Sequence, residues 1–387
     1  MYDIDKSETI KLLSELIRIE SVNPSLVQGG SGEREIARFV SDYLSRLGLK
    51  VIIEDTTPGR PNVVGHLRGS GNGKTLMLNG HLDTVGLEGM TIEPLNPVMK
   101  DGLMFGRGAL DMKGGIAAIL AATRGIVESG VQLGGDLVVA GVCDEEYMSI
   151  GTEYLVRSLK TDAAIVVEPT ALQVVTAHKG FVWIDIETHG VAAHGSSPAQ
   201  GVDAITEMAK FLVALDQFQE RTMSKRTHPL VGSPSVHASI IGGGREPSTY
   251  PERCRLQIER RMIPGENVAD VEREVAALFE KVSKSDPKFK AEYSVRFARG
   301  AMEVPSETEI CQTLMACMAT VNGRVPQIAG VSYWLDSEII WRSGIPVVVF
   351  GPSGAGAHAA VEYVDISSVL DVARVLKRTA LQFCSSH

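Results

Sequence analysis

Cysteine is scarce: the five among 387 residues (Cys143, Cys254, Cys311, Cys317 and Cys384) are odd in number and scattered, and none forms a Cys-x-x-Cys pair. That pattern excludes a disulfide framework and a thiolate zinc site, and it fits a reducing cytoplasm. Long apolar runs are missing as well, and nothing approaches the roughly 20 residues a membrane-spanning helix needs. Basic charge falls short: 38 Lys and Arg stand against 47 Asp and Glu, for a net charge of −9. Nucleic acid is excluded as the main partner, because phosphate binding requires a basic face. The stretch Met1 to Lys6 is polar and lacks the basic and apolar regions of an export signal, so a cytoplasmic location is expected. No internal repeat or low-complexity stretch is visible. What remains is the composition of a soluble globular protein, 44% hydrophobic and 22% charged. Its length allows between two and three domains of about 150 residues.

Strand and helix patterns alternate. Asp5 and Glu8 have capping-box spacing before Ile10, Leu13, Leu16 and Ile17, which predicts a helix stopping near Asn23-Pro24. A second helix is predicted over 33–47, ended by Gly48. Leu76 to Leu78, Leu137 to Val142, Ala163 to Val167 and Val347 to Phe350 are apolar without alternation, as in strands buried on both faces. Gly114 to Val127 suits a helix packed closely on such a sheet. Between about 178 and 291 the pattern changes. Alternating Phe181 to Glu187, helical Val202 to Phe218, strands Val236 to Ile241 and Cys254 to Met262, helical Asn267 to Val282 and a strand near 292–297 give a β-α-β-β-α-β order. That is the ferredoxin-like unit. The domains read as 1–177 with 292–387, and an inserted 178–291. Gly69 to Thr75 has the look of a phosphate loop, but its first glycine falls on Arg68 and a strand follows, so a hairpin turn is expected.

The informative feature is what ends each apolar run. Leu76 to Gly80 leads to His81-Leu82-Asp83, Leu137 to Cys143 leads to Asp144-Glu145-Glu146, and Ala163 to Val167 leads to Glu168. Val347 to Gly351 leads to a glycine-rich loop and His358, and Gly106-Arg107-Gly108 leads to Asp111 ahead of the close-packed helix. In open α/β sheets ligands bind outside the carboxyl ends of the strands, so these groups converge. Gathered carboxylates repel one another and lose hydration worth several kcal/mol each, and cations relieve both costs. Two divalent ions bring a charge that matches three ligating carboxylates and a hydroxide, and oxygen with imidazole donors suits zinc, cobalt or manganese. His81 and Asp83 are two apart and face the same way in an extended segment, which lets Asp83 hold the imidazole from behind. Glu145 and Glu146 are adjacent and diverge.

These motifs, with Gly190 to His194 and Arg261-Met262-Ile263-Pro264-Gly265-Glu266, resemble those of the acetylornithine deacetylase, succinyl-diaminopimelate desuccinylase and glutamate carboxypeptidase family of di-zinc amidohydrolases and metallopeptidases. The match runs nearly end to end. The resemblance implies a zinc-peptidase-like α/β/α catalytic domain and a ferredoxin-like α+β insert that acts as lid and homodimer contact. It implies two divalent metals, zinc first, with Asp111 bridging, His81 and Glu168 on one ion, and Glu146 and His358 on the other. Asp83 would support His81, Glu145 would be the general base toward water, and the Asp111-Met112 peptide is expected to be cis. His194 would donate to the developing oxyanion, in cis or from a partner subunit. Arg261 would grip a substrate carboxylate, and Ser248 is a candidate contact in a loop that departs from the family pattern, reading Ser248-Thr249-Tyr250-Pro251. Glu259 stands where the family commonly has Asp.

The activity implied is cleavage of the amide of an N-acyl amino acid, a small molecule. Cleavage of short peptides, as a dipeptidase or carboxypeptidase, is the alternative. A catalytically silent binding or scaffold relative is disfavoured, since it has no use for Glu145 as a base. For His66, His178, His189, His228, His237 and His387 a role in the core or on the surface is expected. Arg261 has a plainer reading too, as a surface charge paired with Glu259 or Glu266.

Overall fold

The computed structural model describes residues 3–323 and 326–386; His387 lies outside them. The chain divides into two compact units, 1–176 with 304–329 and 335–387, and 177–303 with 330–334. The fold is the expected α/β arrangement with a separate small antiparallel α+β unit. No helix among the described residues is long and apolar enough to cross a membrane.

The larger unit is built on a mixed sheet. Across it run Lys50–Thr57, Arg60–Leu67, Leu137–Val142, Leu76–His81, Ala163–Val166, Val347–Val349 and Val174–His178. The strands Leu137–Val142, Leu76–His81, Ala163–Val166 and Val347–Val349 are mutually parallel, so their carboxyl ends share one edge. Leu137 and Val139 pack into a core formed with Lys6–Arg18, Arg34–Arg46, Gly114–Glu128, Glu309–Asn322 and Ile366–Phe383. Val138 and Ala140 alternate with them and are buried outside that core. There Ile150–Ser158 packs on Leu137–Val142 and on Ser337–Arg342. Burial on both faces explains why these strands show no alternation of apolar and polar residues. Gly115 permits the close approach of Gly114–Glu128 to the sheet, since a Cβ there would lie 2.1 Å from the Val167 carbonyl oxygen.

The first helix is capped as expected, Asp5 accepting the Glu8 N–H at 3.0 Å, but it ends at Arg18 and not near Asn23. The carbonyl of Ile19 is taken by the buried ammonium of Lys113 at 2.6 Å, which turns the chain away. The expected hairpin at Gly69 to Thr75 is not formed. Arg60–Leu67 pairs with Leu137–Val142, and Leu76–His81 lies beyond that strand, so the loop crosses over. Its backbone is satisfied at a distance, Ser70 N–H on Leu133 O at 2.9 Å and Gly71 N–H on Gly134 O at 2.8 Å.

The smaller unit carries an antiparallel sheet in the order Ser235–Gly243, Arg253–Met262, Gly180–His189, Ala291–Arg299. Helices Ala204–Arg221 and Val268–Ser285 bury Met208, Phe211, Val271 and Val275 against Val182, Ile184, Ile186, Leu256 and Ile258. Asn267 and Asp270 form a reciprocal capping box at the start of the second helix. The unit continues past residue 291 to Glu303, because Ala291–Arg299 pairs along Gly180–His189 from Ala291 opposite Thr188 to Arg299 opposite Phe181.

Candidate metal centre

Strand ends bring the larger unit's acidic and imidazole groups together. His81 closes Leu76–His81, Glu145 and Glu146 follow Leu137–Val142, and Glu168 follows Ala163–Val166. Asp111 arrives on a loop opened by Gly108, which has φ 76°, and the Asp111-Met112 peptide is cis. His358 has φ 61°, a left-handed conformation uncommon outside glycine.

Asp111 stands between two imidazoles. Its Oδ1 is 3.1 Å from His81 Nε2 and its Oδ2 is 3.3 Å from His358 Nε2. His81 Nε2 also faces Glu168 Oε1 at 3.5 Å, and His358 Nε2 faces Glu146 Oε2 at 2.9 Å. Donor atoms of His81, Asp111 and Glu146 lie within 4.8 Å of one another, as do those of His81, Glu145 and Glu168. The five expected ligands and Glu145 therefore form one cluster.

Its electrostatics are those of a cation site. Burial pushes the carboxyls of Glu145, Glu146 and Glu168 above the ordinary range, and their neighbouring carboxylates add to it. Burial opposes the same rise at His81, but Glu168 and Asp111 outweigh it. Hydrogen bonds donated to Asp111 and Glu146 raise the His358 imidazole to about 10. Asp111 resists its burial, and the two imidazoles hold it ionised well below the carboxylate range. Nitrogen lone pairs thus point at carboxylate oxygens with only protons to reconcile them, and Glu146 Oε1 is buried with no hydrogen-bond partner among the described residues. Mixed imidazole and carboxylate donors without sulfur suit divalent metal ions in a catalytic arrangement.

Asp83 differs from expectation in what it holds. His81 Nδ1 is 2.9 Å from the Asp83 backbone oxygen and 3.7 Å from its carboxylate. The carboxylate instead accepts the backbone N–H of Glu145 at 3.1 Å and of Glu146 at 3.2 Å, and the Asn23 amide at 2.7 Å.

Glu362 was not anticipated from the sequence. It is fully buried, pairs with Arg107 at 2.8 Å, and accepts the backbone N–H groups of Gly108, Leu110 and Asp111 at 2.9–3.0 Å. Only its place four residues after His358 offered a signal.

The remaining candidates lie in the smaller unit. His194 and Thr249 form an isolated β-bridge, Gly195 N–H donates to Ser248 O at 2.7 Å, and His194 Nδ1 meets Ser196 Oγ at 2.7 Å. His194 and Ser248 thus share one exposed patch. Arg261 Nε donates to Glu259 at 2.7 Å and its guanidinium lies 5.3 Å from the Phe181 ring centre. The pairing with Glu259 is the plainer one. Of the other histidines, His178 is fully buried, His237 is exposed and His228 faces Glu303 at 3.1 Å. His189 lies near Glu187 and Glu292, but Arg255 already holds Glu187 at 2.7 Å.

A mixed α/β sheet with imidazoles and carboxylates gathered at its carboxyl edge defines a candidate site for divalent metal ions. The chain belongs to peptidase family M20/M25/M40, whose model matches residues 77–382. It is similar to the N-formyl-4-amino-5-aminomethyl-2-methylpyrimidine deformylase of Bacillus subtilis, 29% identical over 98% of this chain and 95% of that protein. The acetylornithine deacetylase of Myxococcus xanthus is 28% identical over 96% of each chain. The crystal structure of aminopeptidase PepT from Bacillus cereus shares the fold, with a TM-score of 0.82 at 18% identity, over 98% of this chain and 99% of that one.

Proposed function

We propose that the protein hydrolyses the amide bond of N-acylated amino acids, using two divalent ions. The observation that carries this reading is Asp111, which presents one carboxylate oxygen to His81 and the other to His358. In this reading His81, Glu168 and Asp111 would hold one ion, and Glu146, His358 and Asp111 the other. Zinc is the first candidate and cobalt or manganese would suit the same donors. When bound, the ions supply Lewis acidity that polarises the scissile carbonyl and favours ionisation of water.

The chain's own residues do the rest. Glu145 takes a proton from the attacking water and returns it to the leaving amine. Burial raises its carboxyl, the His81 imidazole opposes this, and the neighbouring Glu168 and Glu146 carboxylates add to the rise, so it holds a proton more readily than an ordinary carboxylate does. Asp83, gripping the backbone of Glu145 and Glu146, keeps base and ligand in a fixed relation. His194 supplies a hydrogen bond to the developing oxyanion, Ser248 lies beside it for substrate contact, and Arg261 offers a planar fork to a substrate carboxylate. A homodimer through the smaller unit is supported by its edge strand Ser235–Gly243, where Ile240 and Ile241 are 63% and 54% exposed. A light-scattering mass of one chain would count against that assembly.

The test of the mechanism is Glu145→Gln. It is expected to keep its metal content and to lose about 10²–10⁴-fold in kcat, the usual contribution of a general base. Unchanged turnover would remove Glu145 from the mechanism.

A further inference from the structure

We infer that Arg60 and Asn23 are positioning residues that aim the Glu145–Glu146 turn at the metal centre; the inference rests on the roles proposed above for those two glutamates. The turn needs outside support, since Asp144 sits at φ 68°, a conformation costly for a residue with a side chain. Its direct support is Asp83, which accepts the N–H groups of Glu145 and Glu146. Asp83 is itself held by Asn23, whose amide nitrogen donates to it at 2.7 Å and to Asp144 Oδ1 at 3.0 Å. One amide thus ties the brace to the turn.

Arg60 and the Ser25 backbone, whose N–H donates to Asn23 Oδ1 at 2.8 Å, together fix which way that amide points. Arg60 Nη2 donates to Asn23 Oδ1 at 3.2 Å, so the Asn23 oxygen faces the guanidinium and its nitrogen faces the two carboxylates. The same Nη2 donates to Asp144 Oδ1 at 2.8 Å, and Arg60 clasps Glu33 through Nε at 2.7 Å and Nη2 at 2.6 Å. Glu33, Asp83 and Asp144 are buried carboxylates, with relative exposures of 0%, 1% and 1%. The planar guanidinium grips both Glu33 oxygens from two nitrogens while Nη2 also faces Asp144 and Asn23, a fork that a single-point ammonium does not reproduce. Four segments of the larger unit therefore meet in one buried network whose output is the placement of two backbone N–H groups.

The experiment compares Asn23→Ala, Arg60→Lys and, as a control for stability alone, Val375→Ala in the buried C-terminal helix. Arg60→Lys keeps the buried positive charge, so a folded protein remains available if Asn23→Ala unfolds. For each, kcat and KM on the best N-acyl amino acid, zinc affinity by chelator competition and thermal unfolding are measured. Asn23→Ala and Arg60→Lys are expected to lose about 10–100-fold in kcat and in zinc affinity. KM should stay within about threefold, the mark of lost transition-state and not ground-state interactions. Val375→Ala should lower the melting temperature while leaving kcat and zinc affinity in place. The inference is overturned if the two network variants keep wild-type kcat and zinc affinity, or lose no more than Val375→Ala does. If the wild-type chain cleaves no amide, the proposed function fails by itself, and the zinc affinities still decide the role of Arg60 and Asn23.

Discussion

Glu362 accepts the backbone N–H of Asp111 at 3.0 Å. Through the same carboxylate it takes the N–H groups of Gly108 and Leu110 and the guanidinium of Arg107, so one buried side chain shapes the loop that delivers the central carboxylate. A glutamine there keeps the shape but replaces one acceptor oxygen with a donor, which then faces N–H groups. Glu362→Gln is expected to cost about 1.5–3 kcal/mol of stability, as for a lost hydrogen bond to a charged group. It should also weaken metal binding about tenfold or more, as loss of an outer support does. Urea denaturation and chelator competition measure the two effects. Wild-type metal affinity in a measurably destabilised Glu362→Gln would show that the clamp serves folding alone.

His358 reaches Asp111 and Glu146 from a loop, and its side chain is 54% exposed. Its removal exposes no core. His358→Ala is expected to fold as the wild type does, to bind one ion in place of two and to lose turnover. Metal analysis after gel filtration, alongside circular dichroism, reads this out. Two ions retained at full affinity would take His358 out of the ligand set.

His178 gives a pH dependence of its own. It is fully buried, donates through Nδ1 to the Lys179 carbonyl at 3.0 Å, and stacks edge-on to Trp334. Burial drops its imidazole from 6.5 to about 4, against the weaker pull of that carbonyl. Above pH 6.5 the group is neutral folded or unfolded and contributes nothing. Between 6.5 and about 4 the unfolded chain binds a proton that the folded one does not, so stability falls as pH falls. At pH 5 the loss is about 2 kcal/mol, and it levels off below the folded value. His178→Leu removes this contribution, so its stability should decline less than the wild type's from pH 7 to pH 5 in urea titrations. Parallel declines would place the titration elsewhere.

The convergence of the acidic and imidazole groups was legible because each of them follows a strand-like run or a glycine-rich loop, and parallel strands must end on one edge. Asp5 before Glu8 and the alternation over Phe181 to Glu187 were legible for a similar reason, since caps and half-buried strands are local patterns. The supports of the cluster were not. Glu33, Arg60, Asn23 and Glu362 are charged or polar residues in unremarkable sequence, and only tertiary folding brings them to Asp144, Asp83 and Asp111. Asp83 shows the limit most clearly: spacing put it behind His81, yet its carboxylate turned to the backbone of Glu145 and Glu146, which sequence spacing does not relate to it. The Gly69 to Thr75 loop failed as a hairpin for the same reason. Strand order, set by the long-range pairing of Leu137–Val142 between its neighbours, overrode a locally sound turn.

The most direct test of the central claim is amine release from zinc-loaded protein across N-acetyl, N-succinyl and N-formyl amino acids and dipeptides, beside a chelated sample to which zinc is then restored. The account predicts turnover of N-acyl amino acids above dipeptides, abolished by the chelator and recovered with zinc. Activity that survives metal removal, or a fully loaded protein that cleaves none of these amides, would contradict it.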